Sequence, residues 1–285
     1  MSSKLYRRFR TREERQAFYL LKNFRKAILD FKMIQPGDRI LLGLSGGKDS
    51  LTLFNLLRLY RNLFRVEFEI RPVLVLTELQ EEIRMNVPEL THYVESTGHG
   101  LTVKSIRIGL PEKIDKSLCF YCSWHRRKTL FLATEELNCN KLALGHHGDD
   151  IAETTLLNLF YHGRIERMEP KMEFFDGRFT LIRPMAYLDE KDIVSYASHL
   201  PVHLTTCTCP YGNMTKRSYM KDKIRELEHE IPKLKINLFR ACANPNFVPL
   251  RLKRKIRDDE MNSGTPSGMD PLCPIHHDPT DPDLV

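Results

Sequence analysis

The sequence lacks long apolar runs: none reaches the about 18 consecutive apolar residues from which a membrane-spanning helix is recognised. We therefore expect no membrane span. The N-terminal residues, MSSKLYRRFRTREERQ, also lack the apolar core of a secretory signal peptide. These two absences predict a cytoplasmic protein.

Cysteine is scarce, with seven in 285 residues, and an odd number in a chain of this length argues against a disulfide scaffold. Reduced cysteines that can take part in metal or redox chemistry are the better interpretation. Hydrophobic residues make up 41% of the chain and charged residues 28%. These ordinary globular values exclude a wholly disordered, collagen-like or coiled-coil protein.

The positive charge is unevenly distributed. Residues 258–285 hold seven acidic residues and five prolines but no Lys or Arg. This segment carries a formal charge of −7, so residues 1–257 carry +14 and the whole chain +7. Ten Lys and Arg residues lie in the first 32 positions, and a second basic cluster spans Arg251–Arg257. Basic surface on this scale favours a polyanion partner such as nucleic acid, the alternative being a solvated charged face. The composition of 258–285 predicts an acidic, disordered tail.

Apolar spacing predicts a basic amphipathic helix within residues 11–33, the central part of an N-terminal segment 1–36. Between 37 and 200, short apolar runs alternate with helical patterns, which predicts an α/β fold with a parallel sheet and helices on both faces. A hairpin is predicted around Asp176-Gly177. Residues 201–257 form a predicted small helical region. Strands are predicted at Arg39–Leu44, Val66–Leu76, Leu101–Ile108 and Lys141–Leu144, and later helices near 189–199, 215–229 and 233–242.

A phosphate-binding loop is predicted at Ser45–Ser50 (SGGKDS), which follows a strand and opens a helix. Glycines let the backbone approach an anion, and the N–H groups and dipole of the helix start favour it. Lys48 adds a positive charge. The Walker spacing of glycines is absent, and a simple turn is the alternative.

Two cysteines, Cys119 and Cys122, have the CxxC spacing at the start of a predicted helix, so one metal ion or cluster can bind both. The cations that follow, such as Arg126, lower the pKa of nearby thiols. Alone, the pair is typical of a zinc half-site, a redox dithiol or part of an iron–sulfur site. Cys207 or Cys209 can supply a third thiol.

The third motif, Gly145–Thr154 (GHHGDDIAET), lies at a predicted strand end and helix start, beside the phosphate loop if the sheet is parallel. Acidic residues there can hold magnesium or move a proton. We expect Asp150 to take part in the chemistry and Asp149 mainly to cap the helix.

SGGKDS is similar to the signature of the PP-loop ATP pyrophosphatases, which bind ATP and adenylate a carbonyl oxygen. Together with CFYC, GHHGDDIAETTLLNLFYHG, RMEPKM, IRPMAYLDEKDIVSYA and CPYGN, it resembles the tRNA 2-thiocytidine synthetase group of iron–sulfur tRNA thiolases. The resemblance covers roughly residues 35–250. It implies that residues 37–200 form a PP-loop ATP-binding domain of the Rossmann-type adenine nucleotide alpha hydrolase-like fold.

The resemblance also implies roles by position. The expected ligands of a [4Fe–4S] cluster are Cys119, Cys122 and Cys209, with Cys207 as a rival because the later spacing is Cys-x-Cys. The expected ATP-binding residues are Ser45, Gly46, Gly47, Lys48, Asp49, Ser50, Thr77 and Gly145. The expected catalytic residues are Lys48, Asp49, Arg126 and Asp150.

The implied activity is that of an ATP-dependent tRNA sulfurtransferase. With Mg²⁺, ATP would adenylate an anticodon-loop cytidine (C32), and sulfide, or a persulfide from a cysteine desulfurase, would displace AMP to give 2-thiocytidine. The basic helix and Arg251–Arg257 are candidates for holding the tRNA, and relatives of this kind suggest a homodimer. Alternatives are a PP-loop thiolase of another nucleoside or small molecule, a lysidine-synthetase-like tRNA ligase, and a non-enzymatic RNA-binding module.

Overall fold

The computed structural model describes residues 12–78, 80–109, 118–205 and 216–243. Within these ranges the chain forms one mixed sheet with strand order β3-β2-β1-β4-β6-β5, in which β5 is antiparallel to β6 and the other pairings are parallel. The strands are β1 (Arg39–Gly43), β2 (Glu69–Thr77), β3 (Thr102–Ile106), β4 (Lys141–Ala143), β5 (Lys171–Phe174) and β6 (Phe179–Ile182). The helices are α1 (Arg12–Asp30), α2 (Lys48–Phe64), α3 (Glu81–Met85), α4 (Val87–Ser96), α5 (Leu118–Glu136), α6 (Gly148–His162), α7 (Glu190–Ala197), α8 (Lys216–Glu230) and α9 (Leu234–Ala241).

The predicted alternation of strands and helices is confirmed, as is the hairpin, whose strands β5 and β6 flank Asp176-Gly177. The short helix α3 was not predicted, and β2 begins three residues later than the pattern indicated. In the described part of the chain, each helix is too short or too polar to cross a membrane. Cys207, Cys209, Arg251–Arg257 and the acidic tail lie outside the described residues.

Apolar residues on both faces bury the sheet between two helical layers. Along β1, Ile40 and Leu42 belong to the core shared with α1, α2 and α7, whereas Leu41 belongs to the core shared with α5. All three are fully buried. A strand that buries both faces needs a continuous apolar run, which explains why RILLGL does not alternate with polar residues.

Helix α1 packs into the main core although it is rich in basic residues. Its apolar stripe, which includes Leu21, Phe24 and Ile28, is buried against α2 and α7. The guanidinium of Arg25 lies 4.8 Å from the centre of the Phe64 ring, so the cationic side chains lie along the outside of the contact. The helix therefore contributes both core and basic surface.

The strand order leaves a crevice at the carboxyl ends of β1 and β4. From β1 the chain moves outward through β2 to β3, and it then returns to β4 on the opposite side of β1. The loops after β1 and β4 therefore leave the sheet in opposite directions. Where neighbouring parallel strands have this arrangement, the two loops separate and leave a binding crevice between them. The SGGKDS and GHHGDD motifs follow β1 and β4, so both lie here.

We predict that Phe24→Ala lowers the free energy of unfolding by about 3–5 kcal/mol, because it removes a fully buried aromatic ring from the main core. Denaturant titration measures this loss. The matched control is Tyr19→Ala on the same helix, whose side chain is 58% exposed and whose removal should cost less than about 0.5 kcal/mol. Equal effects of the two variants would contradict the placement of α1 in the core.

Candidate active site

The loop Ser45–Ser50 is held in shape by its own hydrogen bonds. Gly46 has φ +78°, in the left-handed region that favours glycine. The backbone N–H of Ser45 donates to Ser50 Oγ (3.1 Å), and Ser50 Oγ–H donates to the Gly47 carbonyl (3.0 Å). In the described structure no side chain caps the start of α2 at Gly47. The N–H groups of the first turn are therefore available to an anion.

Thr205 supports this loop from a distant part of the chain. Its backbone N–H donates to the Gly46 carbonyl (3.0 Å), and its Oγ1–H donates to the Ser45 carbonyl (3.1 Å). A Cβ on Gly46 would lie 2.6 Å from Thr205 Oγ1. Glycine at this position is therefore required both by the backbone angle and by the contact.

Gly145 brings the end of β4 against the first turn of α2. A Cβ on Gly145 would lie 3.1 Å from the Asp49 carbonyl carbon and 3.2 Å from the Ser50 nitrogen. The cleft beside this contact has a volume of about 450 Å³. It is lined by Gly43, Leu44, Ser45, Asp49, Ser50, Val73, Val75, Arg126, Leu130, Leu144, Gly145, His146, Asp150 and Arg217.

Lys48 is paired with carboxylates at the mouth of the loop. Its Nζ lies 2.9 Å from both carboxylate oxygens of Asp49 and 3.3 Å from Glu190 Oε1. Burial lowers the pKa of Lys48, but Asp49 and Glu190 together raise it above its ordinary value. Lys48 is therefore a fixed positive charge, and a bound phosphate would compete with Asp49 for it.

His147 lies buried among three carboxylates. Its Nε2 is 3.4 Å from Asp150 Oδ2 and 3.7 Å from Asp49 Oδ1, and its Nδ1 is 3.6 Å from Asp149 Oδ2. Burial lowers the pKa of His147, but Asp150 and the other two carboxylates outweigh it and raise the pKa. The ring therefore links the phosphate loop to the acidic residues of α6.

Asp150 is ionised and held by cations. Its Oδ2 accepts the backbone N–H of His147 (2.9 Å), and its Oδ1 is 2.9 Å from Nη2 of Arg217, which also bonds Glu153. Burial raises the pKa of Asp150, but the charges of His147 and Arg217 outweigh burial and lower the pKa to about 2. At neutral pH Asp150 is therefore a fixed negative charge in the cleft.

The expectation that Asp149 caps its own helix is wrong. The N-cap residue of α6 is His147, and Asp150 provides the carboxylate that bonds its backbone N–H. The Asp149 side chain instead accepts the backbone N–H of Glu190 (2.7 Å) at the start of α7 and pairs with Lys235 of α9. Asp149 therefore ties three helices together, a role that depends on residues distant in sequence.

The two cysteines of CxxC lie at the start of α5, close to the same edge of the sheet. Both are half-buried, and Cys122 Sγ lies 4.0 Å from Oγ1 of Thr77, the last residue of β2. Arg126, one helical turn after Cys122, lines the cleft. Among the described residues no group of three His, Cys, Asp or Glu side chains could hold a metal ion. The two candidates for the third thiol lie outside that part of the chain.

Six of the predicted site residues line the cleft: Ser45, Asp49, Ser50, Arg126, Gly145 and Asp150. Other predicted residues do not line it: Gly46, Gly47, Lys48, Cys119 and Cys122. Thr77 is fully buried and is not among the residues that line the cleft. Sequence reasoning missed several side chains that shape the site: His147, Arg183, Glu190, Thr205 and Arg217. The position of His147 within the GHHGDD motif could have identified it as a site residue. Thr205 and Arg217 are distant in sequence from the motifs, and only the fold brings them to the site.

Comparison with known proteins agrees with this fold. A family model described as a PP-loop domain matches residues 16–226. The chain belongs to the PP-loop family. A relative from Pelobacter propionicus, named tRNA-cytidine(32) 2-sulfurtransferase, is 36% identical over 247 residues, which cover 82% of this chain and 90% of that protein. A protein of the same name from Pseudomonas aeruginosa is 37% identical and covers 80% of this chain and 83% of its own length.

A solved structure has the same PP-loop fold. The U34-tRNA thiolase NcsA from Methanococcus maripaludis, with its [4Fe–4S] cluster, superposes with a TM-score of 0.66 over 80% of this chain and 78% of that one. The two sequences are 22% identical, so the likeness supports the fold.

We predict that Gly145→Ala weakens the binding of a non-hydrolysable ATP analogue at least about tenfold, or about 1.4 kcal/mol, because the new methyl group would displace the first turn of α2. Isothermal titration calorimetry measures the affinity. Gly100→Ala is the control, since a Cβ there meets nothing within 4 Å. Unchanged affinity in Gly145→Ala would show that the close approach is not needed for nucleotide binding.

The lowered pKa of Asp150 predicts a pH-dependent stabilisation. The folded-state pKa lies below the unfolded value of about 3.9, so the stabilisation is complete above that value and is lost as the pH falls towards about 2. Asp150→Asn also removes the carboxylate that raises the pKa of His147, so the comparison is made below the range in which His147 titrates. The unfolding free energy of wild type minus that of Asp150→Asn should shrink as the pH falls below about 4, by on the order of 2 kcal/mol. Arg217→Met should reduce the pH-dependent part. A difference that stays constant throughout the acid range would contradict the ion pair.

Proposed function

We propose that this protein is an ATP-dependent tRNA sulfurtransferase that replaces the 2-oxygen of cytidine 32 with sulfur. The observation that carries the proposal is one crevice where the phosphate loop, Arg126 of the CxxC helix and Asp150 meet. The relatives named tRNA-cytidine(32) 2-sulfurtransferase support the substrate and the reaction. A lysidine-synthetase-like ligase and a non-enzymatic RNA-binding module are not favoured by these relatives.

The phosphate loop would bind ATP through its pyrophosphate. The N–H groups at the start of α2 and the charge of Lys48 would compensate the negative charge of the β- and γ-phosphates. Attack of the cytidine oxygen on the α-phosphorus then expels pyrophosphate, whose accumulating charge Lys48 stabilises. Mg²⁺ on the phosphates stays a prediction.

Arg126 and Asp150 would act on the reacting base. The guanidinium of Arg126, which lines the cleft, would neutralise the α-phosphate. Adenylation of a cytidine oxygen puts positive charge on the pyrimidine ring. The ionised Asp150 carboxylate across the cleft would stabilise that charge. The unpaired bases of an anticodon loop reach such a cleft at little cost in stacking.

The cysteines fit a [4Fe–4S] cluster with three protein ligands. Cys119 and Cys122 provide two thiols at the start of α5. Thr205 bonds the phosphate loop, and Arg217 bonds Asp150. In the sequence, Cys207 and Cys209 stand between these two residues. A cluster bound by three thiols would supply an iron atom with an open position for sulfide.

Cys209 is the preferred third ligand and Cys207 its rival. The sulfur donor, whether sulfide or a persulfide from a cysteine desulfurase, stays a prediction, as do the homodimer and the domain boundaries. The exposed basic side chains of α1 are candidates for contacting the tRNA backbone, together with Arg251–Arg257 outside the described residues.

We predict that Cys122→Ser abolishes 2-thiocytidine formation and removes most of the iron from anaerobically purified protein, because one cluster ligand is lost. Nucleoside mass spectrometry of tRNA from a strain that lacks the protein, complemented with each variant, measures the product. Iron analysis provides a readout independent of activity. The control is Cys139→Ala, which removes a buried thiol of the α5 core and should leave iron and product intact.

The outcomes separate the alternatives. Stoichiometric zinc without iron in the wild-type protein would overturn the cluster. Loss of a different thionucleoside in the deletion strain would keep the chemistry and replace the substrate. A full complement of thionucleosides would direct the search to small molecules.

A further inference from the structure

His146 follows Gly145 at the end of β4, and its ring lines the cleft. Its Nδ1 accepts a hydrogen bond from Nε of Arg183 at 3.3 Å. A neutral imidazole carries one proton, so a ring that accepts at Nδ1 carries that proton on Nε2. Among the described residues Nε2 has no hydrogen-bond partner. His146 therefore lines the cleft and carries an N–H donor that no described residue accepts.

Arg183 fixes this state of the ring. It directly follows β6 and is fully buried, and its Nη1 donates to the Glu169 carbonyl. Its Nη2 has no hydrogen-bond partner among the described residues. Among those residues no carboxylate forms a salt bridge with Arg183. A guanidinium always donates, so Nδ1 of His146 can only accept. This is an unusual placement for a buried charge, since such charges are normally paired.

The electrostatic surroundings keep the imidazole neutral. Burial, and next the charge of Arg183, lower the pKa of His146 to about 3. The other charged groups that act on the ring are Asp150 of α6, Arg217 of α8 and Arg127 of α5. Cations thus outnumber the single carboxylate. At neutral pH His146 is a weak base and a permanent donor.

We propose that the Nε2–H of His146 donates a hydrogen bond to the phosphate-ester oxygen at the adenylation centre, and that Arg183 is the positioning residue that fixes the donor tautomer. The inference rests on the proposed adenylation. The donor lies in the same cleft as the phosphate loop, Arg126 and Asp150. The oxygen it meets belongs either to the α-phosphate of ATP or to the base that attacks it.

Nitrogen-15 NMR of the full-length, labelled protein tests the tautomer without substrate. The wild type should show His146 as the Nε2–H tautomer, with no titration between pH 5 and 8. In Arg183→Met the pKa of the ring should rise, and the Nδ1–H tautomer should appear because Nδ1 no longer accepts a hydrogen bond from the guanidinium. Arg183→Lys keeps the charge and serves as the variant that preserves folding. A wild-type His146 that is protonated at pH 7, or that carries its proton on Nδ1, would overturn the proposal.

Single-turnover release of pyrophosphate from ATP in the presence of tRNA tests the donor, because adenylation of the base expels pyrophosphate. His146→Ala should lower the rate by about 10²-fold, and His146→Gln, whose amide N–H takes the place of Nε2–H, should restore part of it. The matched control is His162→Ala at the far end of α6, which should match the wild type. A His146→Ala rate equal to that of the control would overturn the proposal.

Affinity for α,β-methylene ATP identifies the oxygen. If His146→Ala weakens binding in proportion to the rate, the donor contacts the α-phosphate of ATP. Unchanged affinity with a lower rate assigns the contact to the oxygen of the base. Failure of the proposed function would be distinguishable, because the wild type would then release no pyrophosphate in response to tRNA while the NMR result would still stand.

Discussion

The structure depends on the close contact between the end of β4 and the first turn of α2. Gly145 has no side chain, so its backbone reaches the peptide that joins Asp49 and Ser50. That contact brings the GHHGDD residues beside the phosphate loop, and the strand order separates the loops just enough to leave a cleft. A side chain at Gly145 would push the two motifs apart and separate His147 from Asp49, the charged pair that joins them.

Around this contact the charges alternate in sign. Lys48 is paired with Asp49 and Glu190, His147 with three aspartates, and Asp150 with Arg217. In the described structure, the cations named here are therefore already paired with carboxylates before a phosphate binds. Binding of phosphate would exchange one carboxylate partner for another anion, which costs less than bringing an unpaired cation out of water. Arg183 differs because it is buried without a carboxylate partner among the described residues.

Much of this arrangement could be predicted from local sequence. The glycine pair between a strand and a helix, the CxxC at a helix start and the acids after a short strand each depend on neighbours within a few residues. The capping role expected of Asp149 was wrong because Asp149 is held by Glu190 and Lys235, which lie 41 and 86 positions away. The support of Thr205 for Gly46 and the pairing of Arg217 with Asp150 were missed for the same reason.

The sequence by itself determined the order of strands and helices, the phosphate loop and the identity of the candidate ligands, because periodicity and turn chemistry act over short distances. Only the tertiary structure decided which side chains share the cleft, which carboxylate is held by Arg217 and which tautomer of His146 is present. Those properties depend on electrostatics and hydrogen bonds between segments that the parallel sheet brings together. Contacts between residues distant in sequence leave no periodic pattern along the chain.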